Sequence, residues 1–450
     1  MRISTGMIFD AGVSTINRQT GSLLHLQQQV ANGRRMLSPS DDPVSAARAL
    51  EVTQSKDIVA QFSENHNNAT SALGLEEAQL SSASDLLAKI RELAVQGGNT
   101  TLSSSDRRAI TFELRARFDE MIGIANASDG SGQYLFSGFM GSTKPFGGTV
   151  EDILSGNEIG YQGDDGQRRL QVSPTRFLEI SDSGNEVFKR IRDGNGYFVT
   201  NYTATNAGTG VIDAGSITDP AKWNALATKK YSINFSIDNV AVPPVTYYDI
   251  VDTDPASASF GNSLLTGAPP ANGASPLAPP TAASGLRVYQ TGQPIMLRSQ
   301  GTEPAFDFGG NIVVAGEPAS GDSFTIAPSS SQSVFATIGK LIGAMEGATT
   351  GSSASTALLA NDIGFALTNL DQATDNILRV RAQLGARMGE IDSLSSVSED
   401  LNLQYQQTLS QLQDLDYAQA ISDLTRKQTD LQAAQQSFVK MSQLSLFNYI

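Results

Sequence analysis

Proline and glycine are distributed so unevenly that they divide the chain before any other feature is considered. Thirteen of the 17 prolines lie between Pro220 and Pro328, none lies in 44–144, and none follows Pro328. Glycine ends at Gly389, so residues 390–450 contain neither helix breaker. Because proline and glycine both disfavour helix interiors, this pattern predicts long helices at both ends of the chain and an irregular middle.

Apolar residues recur every seven positions in both flanks. The N-terminal series is Phe9, Ile16, Leu23, Val30 and Leu37, then Val52, Val59, His66, Leu73, Leu80 and Leu87. The C-terminal series is Ile363, Leu370, Ile377, Leu384 and Ile391, then Tyr417, Leu424, Leu431 and Phe438. Such a repeat places a narrow apolar stripe on a helix that must pack along another helix. We interpret the stripes of 44–98 and 357–395 as the core of a helical bundle, whereas the extreme ends have little nearby to cover theirs.

Polar clusters mark where the helices of the N-terminal flank begin. Ser40, Asp41 and Asp42 supply capping side chains before Pro43, which suits a first helical turn, and the helix that follows is predicted to reach Gly97. Residues 103–106 are predicted to start a second helix, with one face formed by Ile110, Leu114, Phe118 and Met121.

The pattern then changes to short aromatic and alternating segments. Residues 133–136 are predicted to form a strand, and 159–162 with 168–172 a hairpin around a four-residue turn. Tyr231, Ile233, Phe235 and Ile237 alternate with polar residues, which predicts a strand with one solvated face and 245–251 as its partner. The Ala-, Pro-, Gly- and Ser-rich stretch 266–285 is predicted to be a loop.

Composition excludes several classes of function. The chain has 31 basic and 46 acidic residues and a net charge of -15, which disfavours nucleic acid and anionic membranes as partners. It has no cysteine and two histidines. Thiol chemistry is therefore excluded, and most metal sites and acid–base triads lack the cysteine or histidine side chains that they need. No apolar run approaches the ~18 residues of a membrane span, and no cleavable secretory signal is predicted.

Candidate catalytic groups each have a simpler structural interpretation. His66 falls on the heptad stripe and is interpreted as a polar residue of the core, Asp41–Asp42 as a helix cap, and Asp164–Asp165 as a turn. Arg379 and Arg381 lie beside a core stripe, where ion pairs are favoured over anion binding. We therefore predict no enzyme activity, catalytic residue, metal site or cofactor.

Several motifs resemble those of the flagellin superfamily. Residues 32–35 and 38–43, including Asp41, Asp42 and Pro43, resemble its N-terminal motif, and 379–387, including Arg379, Arg381 and Gly385, resemble its C-terminal motif. Residues 414–421, Gln428 and 433–434 continue the likeness. Within the superfamily, 132–138, 161–164, 316–324 and the ending 444–450 are most similar to the hook-associated branch. The resemblance covers about 1–190 and 316–450.

The resemblance implies a structural subunit of the bacterial flagellum at the junction of hook and filament. Such proteins are exported to the cell exterior by the flagellar export apparatus without a cleaved signal, after a cytoplasmic chaperone has held the C-terminal helix. They contact copies of themselves in a ring, a neighbouring hook-associated protein and flagellin. The terminal helices would pair and pack on neighbouring subunits through Phe9, Ile16, Leu23, Val30, Tyr417, Leu424, Leu431 and Phe438, because alone they bury too little apolar surface to offset ordering entropy.

These inferences predict a mainly α fold with a β insert, in which both chain ends build a long antiparallel coiled-coil rod. The expected domains are 1–43 with 400–450 for assembly, 44–190 with 340–399 as a helical rod carrying a β-hairpin, and 191–339 as a β-rich variable outer domain. Two alternatives stay open. The chain could be flagellin itself, or a flagellin-like subunit whose insert binds glycans.

Overall fold

Long α-helices form both flanks, as the distribution of proline predicts. This computed structural model describes residues 5–227, 229–269, 285–348 and 352–443. Its helices are α1 (Thr5–Asn32), α2 (Pro43–Gly97), α3 (Ser104–Ala125), α4 (Val150–Leu154), α5 (Pro220–Ala225), α6 (Val334–Gly347), α7 (Ser353–Gln413) and α8 (Tyr417–Gln443). The helices predicted after Pro43 and Ser103 are confirmed, and so is the fold class of long terminal helices with a β-rich centre.

The chain divides into two compact units. The first contains Met1–Asn68, Gln171–Arg176 and Glu390–Ile450, and the second contains Ala69–Leu170 and Phe177–Gly389. Helices α2 and α7 each contribute to both units. The three-domain division made from the sequence stays a prediction.

The strands are short and concentrated in the central part of the chain. They are β1 (Phe146–Gly147), β2 (Gly160–Tyr161), β3 (Arg169–Ser173), β4 (Arg176–Glu179), β5 (Ile191–Arg192), β6 (Phe198–Tyr202), β7 (Val211–Ile212), β8 (Ser216–Ile217), β9 (Tyr231–Asp238), β10 (Val245–Asp252), β11 (Arg287–Val288), β12 (Pro294–Arg298), β13 (Asp307–Ala315), β14 (Ser323–Pro328) and β15 (Ser331–Gln332). A five-stranded sheet has the order β11-β10-β9-β14-β6, and a second sheet has the order β12-β13-β7, with β8 also pairing with β13. The pairs β1-β2, β3-β4 and β5-β15 form two-stranded sheets.

The two larger sheets share one apolar core. Buried side chains from both sheets form this core, and the rings of Tyr231 and Phe308 stack there with centroids 4.2 Å apart. The single tryptophan, Trp223, is buried, and its indole N–H donates to the Tyr197 carbonyl at 3.1 Å. The insert therefore carries enough buried apolar surface to form a core of its own.

A second aromatic cluster lies where α3 packs against α6. Phe335 of α6 contacts Phe118 of α3 with ring centroids 6.1 Å apart, and Phe146 at 5.1 Å. Edge-to-face and tilted pairs at these separations are favourable aromatic geometries. The predicted inner face of α3 is confirmed, because Ile110, Leu114, Phe118 and Met121 are all buried.

His66 lies in the core, as predicted. Its side chain is 1% exposed, and Nε2 lies 2.7 Å from the carbonyl oxygen of Val172. Because a carbonyl oxygen can only accept, Nε2 carries the proton of that hydrogen bond. The histidine therefore donates to a neighbouring strand through Nε2, while its buried Nδ1 has no hydrogen-bond partner among the described residues.

Two predictions about strands are wrong. Segment 159–162 does not pair with 168–172, because Tyr161 of β2 pairs with Phe146 of β1 while β3 pairs with β4. The Tyr161 hydroxyl lies 3.0 Å from the Phe136 carbonyl oxygen, which ties β2 to the preceding loop. In the predicted strand 133–136, Tyr134 makes a single bridge to Ser128, and the next residues form turns.

The predicted pairing of the two longest central strands is confirmed, but the predicted solvated face is wrong. Tyr231 pairs with Asp252 and Asp238 with Val245 along the antiparallel β9 and β10. Ser232 and Ser236 are nevertheless buried, and the Ser232 hydroxyl donates to Oδ1 of Asn234 at 2.7 Å. Of the predicted loop 266–285, residues 270–284 lie outside the described residues.

Candidate assembly interface

Helices α1 and α8 pack against each other in antiparallel orientation. Phe9, near the start of α1, contacts Phe438, near the end of α8, with ring centroids 5.0 Å apart. At the other end, Gly33 follows α1 and lies beside Tyr417, the first residue of α8. We call these two helices the terminal pair. The Phe9–Phe438 contact joins one residue of each heptad repeat.

We call the eight predicted interface residues of α1 and α8 the stripe. With Phe9 opposite Phe438 in an antiparallel pair, each step of seven along α1 matches a step of seven back along α8. This equal spacing predicts three further pairs: Ile16 with Leu431, Leu23 with Leu424, and Val30 with Tyr417. We therefore predict one continuous seam along the two helices.

The terminal pair covers its stripe only in part. Phe9 is 52% exposed and Tyr417 is 51% exposed, and the other six stripe residues are only half-buried. No described residue of α1 is fully buried, and within the described part of α8 only Ala420 is. Two helices alone cannot enclose a core, so apolar surface stays open to another partner.

Glycine permits the closest approach of the two helices. A Cβ atom added to Gly12 would lie 2.7 Å from the ring of Phe438. A Cβ added to Gly33 would lie 2.8 Å from the Tyr417 hydroxyl, and Gly33 has a φ of 66°, which favours glycine. Sequence analysis did not identify the role of Gly12. The sequence feature that could have identified this role is a glycine three residues after Phe9, within the first heptad.

The connection between α1 and α2 pairs with the connection between α7 and α8. The Arg35 N–H donates to the Gln413 carbonyl at 2.8 Å, and the Leu415 N–H donates to the Gly33 carbonyl at 3.0 Å. Arg34 and Asp414 form an antiparallel bridge between these two hydrogen bonds. This pairing fixes where both helices of the terminal pair begin and end, and sequence analysis did not predict it.

Asp41 organises the turn before α2. Its carboxylate accepts the N–H groups of Leu37 at 2.9 Å and Ser38 at 3.0 Å. These hydrogen bonds, first from Ser38 and then from Leu37, lower the pKa of Asp41 to about 2. Nε2 of His25 lies 3.4 Å from the same carboxylate. The predicted acidic pair is thus part of a structured turn.

Asp42 and Pro43 start α2 as predicted. The Asp42 carboxylate accepts the Ser45 N–H at 3.1 Å, and Pro43 occupies the first helical position. The hydroxyl and then the N–H of Ser45 lower the pKa of Asp42. The carboxylate therefore satisfies an otherwise unpaired donor at the helix start.

The predicted C-terminal motif residues form ion pairs within the second unit. Arg379 lies 2.6 Å from the Glu186 carboxylate, and Arg381 lies 2.6 Å from that of Glu77. Gly385 has open space where a Cβ would stand. Both arginines are engaged by carboxylates, as the sequence interpretation favoured.

Sequence analysis did not predict the buried charge cluster around Arg387, the last residue of this motif. Arg387 binds the Asp182 carboxylate through two nitrogens, at 2.9 and 3.0 Å. Glu76, 2% exposed, accepts the Asp182 N–H at 3.2 Å. Burial, then the charge of Asp182, raises the pKa of Glu76 well above its ordinary value. The cluster joins α2, α7 and the segment around Asp182, which lies between β4 and β5.

The described residues show neither a metal cluster nor a membrane-spanning helix. In that part of the chain, no three His, Cys, Asp or Glu residues are placed to hold a metal ion. Among the helices described, none is long and apolar enough to cross a membrane. The predicted motif 444–450 lies outside the described residues.

Comparisons with known proteins identify the family. Residues 3–140 match a model described as the bacterial flagellin N-terminal helical region, and 367–450 match the bacterial flagellin C-terminal helical region. The chain is 32% identical over 191 residues to flagellar hook-associated protein 3 of Salmonella typhimurium, covering 42% of this chain and 58% of that protein. The chain thus spans less than two thirds of this curated relative. A Salmonella naestved phase 1 flagellin matches over only 25% of its length, at 29% identity.

Solved structures agree with this assignment. The flagellar junction protein FlgL from Legionella pneumophila has a TM-score of 0.66 and 28% identity, covering 82% of this chain and all of that chain. FlgL from Xanthomonas campestris has a TM-score of 0.58 and 30% identity, covering 74% of this chain and 92% of that one. The fold is therefore shared with these two FlgL proteins, and the chain belongs to the FlgL (hook-associated protein 3) branch of the bacterial flagellin family.

Proposed function

We propose that this chain is a structural, non-catalytic subunit of the bacterial flagellum that joins hook to filament and polymerises through its terminal pair. One observation carries the proposal: the stripe of α1 and α8 is only half-covered in the isolated chain. Full burial of one large apolar side chain stabilises by about 1.5–3 kcal/mol. Packing the stripe against neighbouring subunits would supply the burial that the two helices lack.

The proposed partners follow from this surface and from the family. They are other copies of the chain in a ring, a neighbouring hook-associated protein, and flagellin. The names of the relatives, a hook-associated protein and a flagellar junction protein, support a place at the junction. In this proposal the chain functions outside the cell, on the flagellum, after export by the flagellar apparatus without a cleaved signal.

A cytoplasmic chaperone on the C-terminal helix belongs to the same proposal. Besides the stripe, α8 exposes Ile421 (53%), Val439 (50%) and Met441 (47%). These side chains leave α8 with apolar surface on more than one face. A chaperone that covers α8 before export would keep this surface from associating prematurely.

The proposed division of labour keeps the boundaries derived from the sequence. Residues 1–43 with 400–450 assemble, 44–190 with 340–399 form the supporting helical part with its β-hairpin, and 191–339 form the variable outer domain. The bridge between Arg34 and Asp414 supports the proposed assembly domain. It pairs the connection that follows α1 with the connection that precedes α8.

Leu431→Asp tests the proposed interface. A charge at this half-buried stripe position would be buried without a partner in the assembly, which costs several kcal/mol per subunit. Gln436→Asp introduces the same charge at an exposed position of the same helix and serves as the matched control. Both variants are expressed in a strain that lacks the native protein, and secretion of each is measured before junction assembly is scored.

We expect Leu431→Asp to be secreted, to be absent from isolated hook–filament preparations, and to release flagellin into the medium. Gln436→Asp should form working junctions. A secreted Leu431→Asp protein that still forms junctions would refute the interface. Purified wild-type chain that polymerises alone into long filaments would instead identify the main filament subunit.

A further inference from the structure

A polar cavity lies within the second unit, and no stripe residue lines it. Its volume is about 330 Å³, and β6, α6 and α7 form its walls. This volume is at the lower end of the range for small-molecule sites. Its walls combine polar side chains with one aromatic ring, and those used below are Asn201, Lys340, Asp362, Phe365 and Asn369.

The acidic and aromatic parts of the wall hold each other in place. The Tyr202 hydroxyl donates to Oδ1 of Asp362 at 2.8 Å, and the Tyr202 ring stacks on Phe365 with centroids 6.2 Å apart and planes at 14°. Burial raises the pKa of Asp362. Among the described residues, Tyr202 is the one hydrogen-bond partner of this carboxyl group, so Oδ2 can accept from a ligand.

The remaining polar groups are also positioned before any ligand binds. The Lys340 ammonium donates one hydrogen bond to Gln332 at 2.8 Å and keeps two further donors. Oδ1 of Asn369 accepts the Gly194 N–H at 2.9 Å, which leaves the amide donors of Asn369 for a ligand. Asp193, by contrast, is occupied, because Ser330 donates to both of its carboxylate oxygens.

We propose that this cavity binds a small neutral polyol of about the size of a hexose. The hydroxyl groups of a hexose both donate and accept hydrogen bonds, so they match the oxygens of Asp362 and Asn201 as acceptors and the nitrogens of Lys340 and Asn369 as donors. Its apolar C–H face matches the Phe365 ring. The wall carries charged groups of both signs, the carboxyl groups of Asp193 and Asp362 and the ammonium of Lys340, so a neutral ligand that both donates and accepts fits better than an anion or a cation. The site goes beyond assembly, because the stripe contributes nothing to it.

Saturation-transfer difference NMR on the full chain tests the proposal with three probes: D-glucose, D-galactose and D-mannose. Titration of each sugar through the roughly millimolar range would detect the weak binding that a few hydrogen bonds supply. Asp362→Asn keeps an acceptor for Tyr202 but removes the charge. Asn201→Ala changes an exposed side chain, so its folding should be unaffected. Asp375→Asn makes the same exchange as Asp362→Asn at an exposed position of α7 outside the cavity and is the matched control.

We expect at least one hexose to give a saturable signal with wild type, unchanged affinity with Asp375→Asn, and about tenfold weaker binding with Asp362→Asn and Asn201→Ala. No saturable signal from any of the three sugars would overturn the proposal. Binding that both cavity variants leave unchanged would also overturn it, since the sugar would then lie elsewhere. Far-UV circular dichroism of each variant verifies that the fold is retained.

Discussion

At the scale of single residues, Gly12 sets how closely α1 and α8 approach. Alanine normally stabilises a helix interior by roughly 0.5–1 kcal/mol relative to glycine. At Gly12 the added methyl group would meet the Phe438 ring at 2.7 Å, whereas at Gly21 of the same helix it would meet nothing within 4 Å. The two positions therefore separate helix propensity from packing.

We predict that Gly21→Ala slows amide exchange in α1, whereas Gly12→Ala does not slow it and speeds exchange around Phe438. Both substitutions gain the same helix propensity. The difference in amide exchange rate between the two variants therefore measures the effect of displacing the Phe438 ring. Hydrogen exchange on the purified monomer provides the measurement. Equal slowing by both substitutions would show that α8 does not pack closely on Gly12.

Glu76 gives a pH-dependent prediction. Burial and Asp182 raise its folded pKa well above its ordinary value of 4.5, so the folded state holds this proton more tightly than the unfolded chain. The free energy of unfolding should therefore fall as pH rises from the ordinary value toward the raised one. Glu76→Gln keeps an acceptor for the Asp182 N–H and removes the ionisation. We predict a higher free energy of unfolding for this variant at neutral pH and a weaker pH dependence.

Glu77→Gln is the matched control, one residue further along α2. Its side chain is 33% exposed and pairs with Arg381, so the same exchange should lower the free energy of unfolding by less than about 1 kcal/mol. Denaturant unfolding followed by helical circular dichroism, at about pH 5 and about pH 8, compares the variants. A Glu76→Gln protein that is less stable than wild type at the higher pH would contradict the argument.

At the scale of elements, the terminal pair and the later part of α2 have similar sequence patterns but different burial. Leu73, Leu80, Leu87 and Ile90 of α2 are completely buried, whereas no described residue of α1 is. Amide protons exchange through local opening, whose free energy follows the surface buried by each element. We predict fast exchange in 5–36 and 405–443 and slow exchange in 50–95 of the dilute monomer. Uniformly slow exchange would contradict coupled folding and assembly.

Elements differ in how well the sequence predicts them. The long helices follow from the absence of proline and from heptads, which are local signals, so α2 and α3 begin where Asp42 and Ser103 predict. The partner of Tyr161 is Phe146, and strands of two residues carry no periodicity that could identify such a pair. The bridge of Arg34 to Asp414 joins segments far apart in the sequence, which one sequence without alignment cannot reveal.

At the scale of the whole molecule, the structure shows where the insert can be removed. Arg192 pairs with Ser331 and Ile191 with Gln332, so the chain enters and leaves the insert at neighbouring positions. The Asp193 N–H also donates to the Ser330 carbonyl at 3.0 Å. A cut at 194–329 therefore leaves two ends that a short turn can join, with β5 and β15 still paired.

We predict that replacing 194–329 with a short Gly/Ser linker leaves the stripe intact and junction assembly functional. The insert contains its own apolar core, around Trp223 and Phe235, so its removal takes away a folded part together with its interior. The replacement exposes Asn361 and Phe365 on α7, because Asn361 binds the Gly210 carbonyl at 3.1 Å and Phe365 packs against the insert core.

A second variant of this replacement also carries Phe365→Ser. It separates aggregation through the exposed Phe365 ring from a failure of assembly. Incorporation of either variant into hook–filament junctions, after secretion has been verified, supports assembly through the terminal pair alone. A folded and secreted pair of variants that both fail to incorporate would show that the insert makes assembly contacts of its own.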